Sequence, residues 1–391
     1  MADLRIGVIG ASGRGKLARL AHRPGEGARV VACCDTATRA LELARGWYGE
    51  DILTTGDYRE LLKERLDAVF VTTPDFLHEE HGVAALEAGR AVYLEKPMAI
   101  TVDGCDRILA TAARTGSKLY LGHNMRHMPF VLKMKELIDG GAIGEVKTAW
   151  CRHFVGHGGD FYFKDWHAER RFTTGLLLQK ACHDIDVLHW LCGSHAKRVN
   201  GMGALTLYDQ IPDRHPELER GGAKSDIGNW PPLKQTGLNP IIDIEDVSLI
   251  NMVMENGVLA SYQQCHYTPD YWRNYTFIGT EGRMENFGDG EAGTIVKLWN
   301  KRVKGYHGAA DAEYEISGSA GGHGGSDDHI VDEFLRYVRG EAAPTTSPLE
   351  ARNSVAAGCA ATESIRNGGA PVEVAGLGAG LNRLLEGAAG R

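Results

Sequence analysis

Short apolar runs alternate with amphipathic stretches through the first 122 residues of the chain. The apolar runs predict strands at 4–9, 29–34, 66–72, 91–94 and 118–121. The amphipathic stretches predict helices at 15–23, 37–47, 78–88 and 102–115. Strands that alternate with helices in this way form a parallel sheet with helices on both faces. We therefore predict an α/β domain with a doubly wound parallel sheet over residues 1–124.

The pattern changes after residue 124. Helices are predicted at 131–139, 177–191, 330–338 and 349–366, and a strand is predicted at 144–153. Alternation with a period of two then dominates between 199 and 299, with its clearest strands at 247–254, 259–266 and 274–278. This alternation predicts an antiparallel sheet. The proline-rich stretch 209–240 is predicted to be a long surface excursion, and residues 125–391 are predicted to form a second, α+β domain.

Composition and charge exclude several classes of protein. The chain is 43% hydrophobic and 24% charged, as is usual for a globular protein, and its net charge of −8 disfavours nucleic acid or an anionic membrane as a partner. The N-terminus lacks the pattern of a signal peptide, and no run of about 18 apolar residues is present to cross a bilayer. The eight cysteines show no paired spacing. We expect reduced thiols and a cytoplasmic protein.

A glycine-rich loop, GASGRG at 10–15, follows the first predicted strand and opens the first predicted helix. In dinucleotide-binding Rossmann domains, Gly10 would allow the tight turn and Gly15 the close packing of helix on strand, and the helix N-terminus would face the pyrophosphate. The middle glycine of the G-x-G-x-x-G pattern is Ser12 here, with Gly13 and Arg14 beside it. An ordinary turn between a strand and a helix is the alternative interpretation.

Asp35 ends the second predicted strand, about 25 residues after the start of the loop, where an acidic side chain binds the ribose diol. A carboxylate at this position repels a 2′-phosphate, so NAD is predicted rather than NADP. Arg39, one helical turn further on, leaves room for NADP. Thr72, Thr73 and Pro74 end the next strand and are expected to line the cofactor crevice, although a plain turn is the alternative.

Glu95, Lys96 and Pro97 follow the strand at 91–94, at the carboxyl edge of the sheet where such folds bind ligands. A lysine beside a glutamate at a buried edge is costly unless both are paired or used. Lysine can donate to a substrate hydroxyl, and partial burial brings its pKa toward the range of proton transfer. We therefore predict that Lys96 handles the proton, and that Pro97 fixes the turn, with which a cis peptide bond is compatible.

Taken together, these motifs resemble the Gfo/Idh/MocA oxidoreductase family, which includes glucose–fructose oxidoreductase and inositol dehydrogenases. The resemblance spans nearly the whole chain and rests on the segments 10–15, 73–74, 95–97, 124–126, 141–146, 183–186, 190–193 and 364–368. It implies bound NAD, and His78 and Asn124 are placed with the cofactor contacts. It also implies an open, mostly antiparallel sheet in the second domain, late helices that pack back toward the Rossmann domain, a substrate held between sheet and nicotinamide, and a homodimer or homotetramer.

In dehydrogenases of this family, the lysine of Glu-Lys-Pro and a helix carrying Asp-x-x-x-His serve the reacting carbinol. Lys96 and His183 match by position, and residues four apart share one face of a helix. The residue four before His183 is Gln179, which can hydrogen-bond a hydroxyl but cannot accept a proton. This departure leaves proton transfer to His183 and Lys96. The alternative for His183 is a structural histidine on a packed helix.

The segment 157–171 mixes aromatic and cationic side chains. The rings offer flat surfaces for a sugar, and the cations suggest a substrate with a fixed negative group, such as a carboxylate, phosphate or sulfonate. A solvated loop or a subunit contact is the alternative. The predicted substrate contacts are Arg126, Lys164, Trp166, His167, Arg170, Lys180 and Asp184. The histidines lack the spacing of a zinc site, so no metal is predicted.

The leading prediction is an NAD-dependent oxidoreductase acting on a sugar, which transfers hydride between a ring secondary alcohol, C3 being favoured, and nicotinamide. The resemblance also implies an alternative, an NAD+-dependent glycosidase that works by transient oxidation, elimination, hydration and re-reduction. Its substrate would be an anionic hexoside, carboxylated or sulfonated, such as a sulfoquinovoside. A redox-inactive sugar sensor is disfavoured, because a sensor has no need for Lys96. The expected partners are a small sugar substrate and further copies of the chain, without nucleic acid or membrane.

Overall fold

The computed structural model describes residues 2–215, 226–290, 293–317 and 323–389. The chain divides into two compact units. The first unit comprises Met1–Asn124, Asp327–Val355 and Gly376–Arg391, and the second comprises Met125–Ser326 and Ala356–Ala375. The range 125–391 predicted for the second domain is therefore too long, because two C-terminal stretches belong to the first unit.

Strands and helices alternate in the first unit, whereas strands dominate the second. The strands are β1 (Leu4–Ile9), β2 (Ala28–Cys34), β3 (Leu53–Thr55), β4 (Ala68–Val71), β5 (Ala91–Leu94), β6 (Leu119–Leu121), β7 (Val146–Val155), β8 (Ala196–Ala204), β9 (Val247–Met254), β10 (Leu259–Cys265), β11 (Tyr271–Gly279), β12 (Arg283–Phe287), β13 (Ile295–Trp299), β14 (Ala312–Glu315) and β15 (Val372–Glu373). The α-helices are α1 (Thr38–Tyr48), α2 (Tyr58–Leu62), α3 (His78–Glu87), α4 (Val102–Thr115), α5 (Pro129–Asp139), α6 (Gly158–Phe161), α7 (Arg170–Thr173), α8 (Leu176–Gln179), α9 (Cys182–Cys192), α10 (Ser326–Arg339), α11 (Pro348–Arg366) and α12 (Ala379–Ala389). Within the described ranges, no helix combines the length and the apolar character needed to cross a bilayer.

The sheet of the first unit is parallel and has the order β3-β2-β1-β4-β5-β6. Every residue of β4 and β5 is buried, which explains why these strands appear in the sequence as continuous apolar runs. The helix predicted at 15–23 is a 3-10 helix over Gly13–Ala21. The doubly wound α/β architecture predicted from the sequence is confirmed.

Aromatic packing ties α10 to the parallel sheet of the first unit. The ring of Phe334 lies 5.2 Å from that of Phe70, 5.5 Å from that of Tyr93 and 5.5 Å from that of Tyr120. All four side chains are buried. Because these rings remove a large apolar area from water, this C-terminal segment forms part of the first unit's core.

The sheet of the second unit has nine strands in the order β14-β13-β12-β11-β7-β10-β9-β8-β15. Only β7 and β10 pair in parallel; the other neighbouring pairs in the described residues are antiparallel. Along β9, Ile250 and Met252 are buried, whereas Leu249 and Asn251 are exposed. One face of the sheet therefore carries the core of this unit, and the other face is open. The predicted open, mostly antiparallel sheet is confirmed.

The single helix predicted over 177–191 is interrupted. It divides into α8 and α9, with Lys180 and Ala181 between them. The backbone N–H of Ala181 bonds to the carbonyl of Leu176 at 3.0 Å, one residue further back than in a regular α-helix. Gln179 and His183 therefore lie on two different helices, and the predicted spacing along one helix is wrong.

The excursion predicted over 209–240 is only partly at the surface. Residues 216–225, including the proline at 216, lie outside the described residues. Ile227 and Leu233 are exposed as expected, but Ile211 and Leu238 are buried in a small second core with Phe163. The apolar side chains at both ends of the segment anchor it to the second unit. The prolines predicted a surface loop and gave no sign of this anchoring.

Candidate functional site

The loop between β1 and the following 3-10 helix accepts only glycine at two positions. Gly10 has a φ of +89°, and a Cβ there would lie 2.8 Å from the backbone of Thr72. A Cβ at Gly15 would lie 2.1 Å from the carbonyl oxygen of Gly10. The hydroxyl of Thr72 donates to that carbonyl at 2.8 Å and holds the turn in place. A tight turn that leads directly into a helix N-terminus is the geometry required to bind a pyrophosphate.

Asp35 is fixed beside this loop at the end of β2. The backbone N–H and the hydroxyl of Ser12 donate to its Oδ2 at 3.1 and 3.0 Å, and the N–H of Ala37 donates to Oδ1 at 2.9 Å. Ser12, which replaces the middle glycine, thus helps to orient the carboxylate. An acid held at this point is placed to accept hydrogen bonds from a ribose diol.

Arg14 belongs to an ionic network inside the first unit. Its Nε donates to Glu95, and its two terminal nitrogens bond to Asp327 at 2.7 and 2.8 Å. Asn124 donates to the same carboxylate at 2.9 Å. Burial opposes ionisation of Glu95, but Arg14 and the backbone N–H of Lys96 hold the pKa of Glu95 below its usual range. The network fixes the backbone from which Lys96 projects.

Sequence reasoning missed the part that Asp327 takes in this network. The residue stands in the first turn of α10, where an acidic side chain is usually interpreted as favourable to the helix dipole. Its contacts with Arg14 and Asn124 join segments more than 200 residues apart. No local pattern signals such contacts.

His78 holds two loops at the carboxyl edge of the parallel sheet. Its Nδ1 lies 2.6 Å from the carbonyl oxygen of Pro97, and its Nε2 lies 2.8 Å from that of Thr73. The ring is buried, and it joins the loops that follow β4 and β5. The peptide bond between Lys96 and Pro97 is cis. His78 therefore positions these two loops, whereas the sequence placed it among the cofactor contacts themselves.

Asp184 in the second unit is buried and has polar partners on β7, β10 and β11. It accepts from the hydroxyls of Tyr275 and Tyr262, the latter at 3.1 Å, and lies 3.0 Å from Nδ1 of His153 and 3.2 Å from Nε of Arg273. Burial disfavours the carboxylate, but His153 and Arg273 hold the pKa of Asp184 well below its usual range. With 0% of its surface exposed, Asp184 holds these side chains together, and its predicted contact with substrate stays a prediction.

Arg126 is likewise structural. Its guanidinium forms two hydrogen bonds with Asp186, at 2.8 and 2.7 Å, and lies 5.1 Å from the ring centre of Trp190. The two paired side chains are 1% and 2% exposed. The bidentate pair ties the segment before α5 to α9. The predicted contact of Arg126 with substrate stays a prediction beside this structural role.

The cations of the segment 157–171 have acidic partners within the second unit. The pairs are Lys164 with Asp160, Arg170 with Glu245, and Arg171 with Glu169. The guanidinium of Arg170 also donates to the backbone carbonyl of Asp243, and Nδ1 of His167 bonds to a carboxylate oxygen of Asp165. The ring of Trp166 stacks on that of His167, with 3.6 Å between their centres. The positive charge that the sequence suggests for this segment is thus largely neutralised by nearby carboxylates. Lys164 and Arg170 are thus members of ion pairs, and their contacts with a substrate anion stay predictions.

The remaining predicted residues of the second unit meet at the turn between α8 and α9. Gln179, Lys180 and His183 are all buried there. The ammonium of Lys180 lies 3.1 Å from the hydroxyl of Tyr271, and 5.6 Å from the ring centre of Tyr162. Tyr271 was missed, because an aromatic residue at the start of a strand reads simply as part of the sheet. Within the described ranges, no group of three or more acidic, histidine or cysteine side chains could hold a metal ion.

Comparison with known proteins identifies the family. Residues 4–123 match the family model for the NAD-binding Rossmann fold of the Gfo/Idh/MocA oxidoreductases, and residues 135–374 match the model for their C-terminal alpha/beta domain. YteT of Bacillus subtilis, which is named as an oxidoreductase, is 28% identical over 69% of this chain and 72% of its own length.

Two further relatives are named for their substrates. Inositol 2-dehydrogenase 3 of Saccharopolyspora erythraea is 35% identical to this chain in the aligned region. That region covers 48% of this chain and 53% of the dehydrogenase. A levoglucosan dehydrogenase solved with NADH and levoglucosan has a TM-score of 0.76 and 19% identity over 96% of this chain and all of its own, a likeness of fold. On the strength of both domain matches, the chain belongs to the Gfo/Idh/MocA family of oxidoreductases, with an NAD-binding Rossmann fold at its N-terminus.

Proposed function

We propose that this protein is an NAD-dependent sugar oxidoreductase that moves hydride between a ring secondary alcohol and nicotinamide. The observation that carries the proposal is the network of Arg14, Glu95 and Asp327, which fixes Lys96 at the carboxyl edge of a dinucleotide-binding sheet. The relatives named for inositol and levoglucosan act on rings that carry several hydroxyls. A similar polyol ring is the substrate class we assign to this chain.

The residues of the first unit fit NAD. Gly10 and Gly15 leave the space that a Cβ would fill, and Asp35 is oriented beside them. Bound NAD supplies the hydride acceptor. The glycine loop would hold the pyrophosphate, and Asp35 would accept hydrogen bonds from the ribose hydroxyls.

The proton of the carbinol is assigned to Lys96 and His183. Lys96 donates a hydrogen bond to the carbinol oxygen and takes part in its proton transfer, and His183 is the second group able to accept a proton. Gln179 orients a hydroxyl without taking its proton. C3 as the reacting carbon stays a prediction; transfer of deuterium to NAD+ from sugars labelled at single ring positions identifies the carbon directly.

Gln179 also favours a second candidate, the NAD+-dependent glycosidase. Without a carboxylate at this position, the standard relay of the family's dehydrogenases lacks one proton acceptor. A cycle that oxidises, eliminates the aglycone, adds water and reduces again would consume water and leave no net NADH. The candidate remains second because no residue is yet assigned to the elimination step.

One experiment separates the two functions. The protein is incubated with neutral and acidic sugars and their aryl glycosides, with and without NAD+, and with Lys96→Met as the inactive reference. Accumulation of NADH with the free sugars supports the oxidoreductase. Release of the aglycone that requires NAD+ but yields no net NADH supports the glycosidase instead. Activity that persists without NAD+ or in Lys96→Met contradicts both.

We also propose that a second copy of the chain covers the open face of the nine-stranded sheet, giving a homodimer or homotetramer. Phe154 of β7 stacks on Trp272 of β11 at 5.8 Å, and Trp272 lies 6.2 Å from Phe287 of β12. Leu259 of β10 is 57% exposed. Phe287 is exposed and the other two rings are partly exposed, and an aromatic row of this kind is typical of protein interfaces. Light scattering tests the assembly, and a wild-type protein that stays monomeric contradicts it.

A further inference from the structure

Three buried polar side chains meet where β7 and β10 end, and each has an atom without a hydrogen-bond partner among the described residues. Gln264 pairs in register with His153 on the neighbouring strand, and His266 is the first residue after β10, two positions beyond Gln264. The partnerless atoms are Nε2 of Gln264, Nε2 of His153 and both ring nitrogens of His266. Their residues are 2%, 1% and 0% exposed. Because buried polar atoms are rarely left without a partner, something polar belongs here.

Lys180 and two tyrosines border these side chains. The hydroxyl of Tyr271 lies 3.1 Å from the ammonium of Lys180, and the ring of Tyr271 meets that of His153 edge-on at 5.5 Å. The ring of Tyr162 meets that of His266 at 5.4 Å. Both tyrosines are partly exposed. We call these six residues the strand-end cluster: His153, Tyr162, Lys180, Gln264, His266 and Tyr271.

The electrostatic setting of the cluster is positive. Burial, with His153 and Lys180 nearby, holds the pKa of His266 well below its usual value. Burial and Arg273 lower the pKa of His153 to about 3, and Lys180 adds to this effect although Asp184 opposes it. Both rings are thus neutral at pH 7, in surroundings that disfavour a further positive charge. Burial opposes a charge of either sign, but the positive charges of Lys180 and Arg273 favour a negative group here.

Building on the proposed sugar oxidoreductase function, we propose that the strand-end cluster binds an ionised carboxylate or sulfonate substituent of the sugar. The ammonium of Lys180, the amide of Gln264 and a ring N–H of His266 are the donors for the oxyanion, with the hydroxyl of Tyr271 beside them. Charge-assisted hydrogen bonds of this type are about twice as strong as neutral ones.

His153 serves a neighbouring hydroxyl. Its Nδ1 faces the carboxylate of Asp184 and so carries the proton, which leaves Nε2 as an acceptor. The cluster thus offers hydrogen-bond donors for an acid group and, next to them, a hydrogen-bond acceptor for a hydroxyl. An acidic sugar carries both groups. The cations of the segment 157–171 are engaged in ion pairs, so the cluster takes over the anion recognition that the sequence assigned to that segment.

The test measures binding as well as turnover. Dissociation constants for glucuronate, galacturonate and sulfoquinovose, and for glucose and galactose, are determined by calorimetry on the NAD+-loaded protein. We expect the wild type to bind at least one acidic sugar about 10-fold more tightly than its neutral counterpart. Lys180→Met should remove most of that preference and change the affinity for neutral sugars by less than about 3-fold. Lys147→Met removes an exposed charge near the start of β7 and should leave the preference unchanged.

Tyr271→Phe provides a second, milder variant if Lys180→Met folds poorly. It deletes one hydroxyl and should reduce the preference about 3-fold or more. The subsite is overturned if the wild type shows no preference for any acidic sugar, or if both variants retain it. If the subsite is overturned but neutral sugars still yield NADH, the proposed oxidoreductase function is retained. A preference for acidic sugars without NADH from any sugar supports the subsite and contradicts the proposed function.

Discussion

The cofactor-binding edge of the first unit and the polar interior of the second are built in opposite ways. In the first, short motifs at the ends of parallel strands supply most of the chemistry. Gly10 and Asp35 come directly after β1 and β2, and Lys96 lies two residues after the end of β5. In the second, Asp184 collects partners from β7, β10 and β11, which are far apart in the chain. The strand-end motifs of the first region can therefore be interpreted from the local sequence, except for its ionic network. In the second region, the roles of the charged residues depend on distant partners.

Arg126 provides the sharpest test of this difference. Replacing it with Met leaves Asp186 buried without its counter-ion, which should lower the free energy of unfolding by about 3–5 kcal/mol. Chemical denaturation of the full chain measures the loss. The double variant Arg126→Met, Asp186→Leu should recover a large part of it, because the uncompensated charge is gone. A stable single variant with impaired sugar binding would instead restore Arg126 as a substrate contact.

Lys96→Met tests the first region by its chemistry. The change keeps much of the apolar stem and removes the titrating amine, so turnover should fall about 10²-fold or more. The affinity for NAD+ should stay within about 3-fold, since the glycine loop and Asp35 are untouched. Fluorescence titration and steady-state kinetics give the two values. Lys63→Met, an exposed lysine paired with Glu60, is the matched control. Turnover near wild type would leave His183 as the lone candidate.

Asp35→Ala tests whether one strand-end carboxylate sets the choice of cofactor. The wild type should prefer NAD+ to NADP+, because the carboxylate accepts from the ribose diol and repels a phosphate. The variant should lose about 1.5–3 kcal/mol of NAD+ binding and much of its discrimination. Titration of both cofactors with both proteins measures this. Equal affinities in the wild type would refute the assignment.

Arg170→Ala should have the smallest effect. Its guanidinium is about half exposed and lies 3.5 Å from Glu245, which Arg366 also contacts. An exposed pair of this kind is worth about 0–1 kcal/mol. The KM for the true substrate should therefore change less than about 3-fold for acidic and neutral sugars alike. A selective loss for acidic sugars would return anion recognition to the segment 157–171.

The sequence by itself determined most of the parallel sheet and the strand-end motifs of the first unit, but not the two C-terminal stretches that complete it. Continuous apolar runs predicted β4 and β5, because central parallel strands are buried on both faces. The glycine loop was predictable since Gly10 and Gly15 are required by contacts with residues of the same motif or of the adjacent strand. The ionic network behind Lys96 was not predictable, because Asp327 joins it from a distant helix.

Only the tertiary structure decided the roles of charged residues in the second unit. The sequence shows that Arg126, Arg170 and Asp184 carry charges, but it does not show which opposite charge each one meets. Glu245, the carboxylate that pairs with the guanidinium of Arg170, comes from a distant segment, after the anchored excursion and just before β9. A charge is worth little as a substrate contact once a nearby partner neutralises it, and pairing between distant segments arises only when the chain folds.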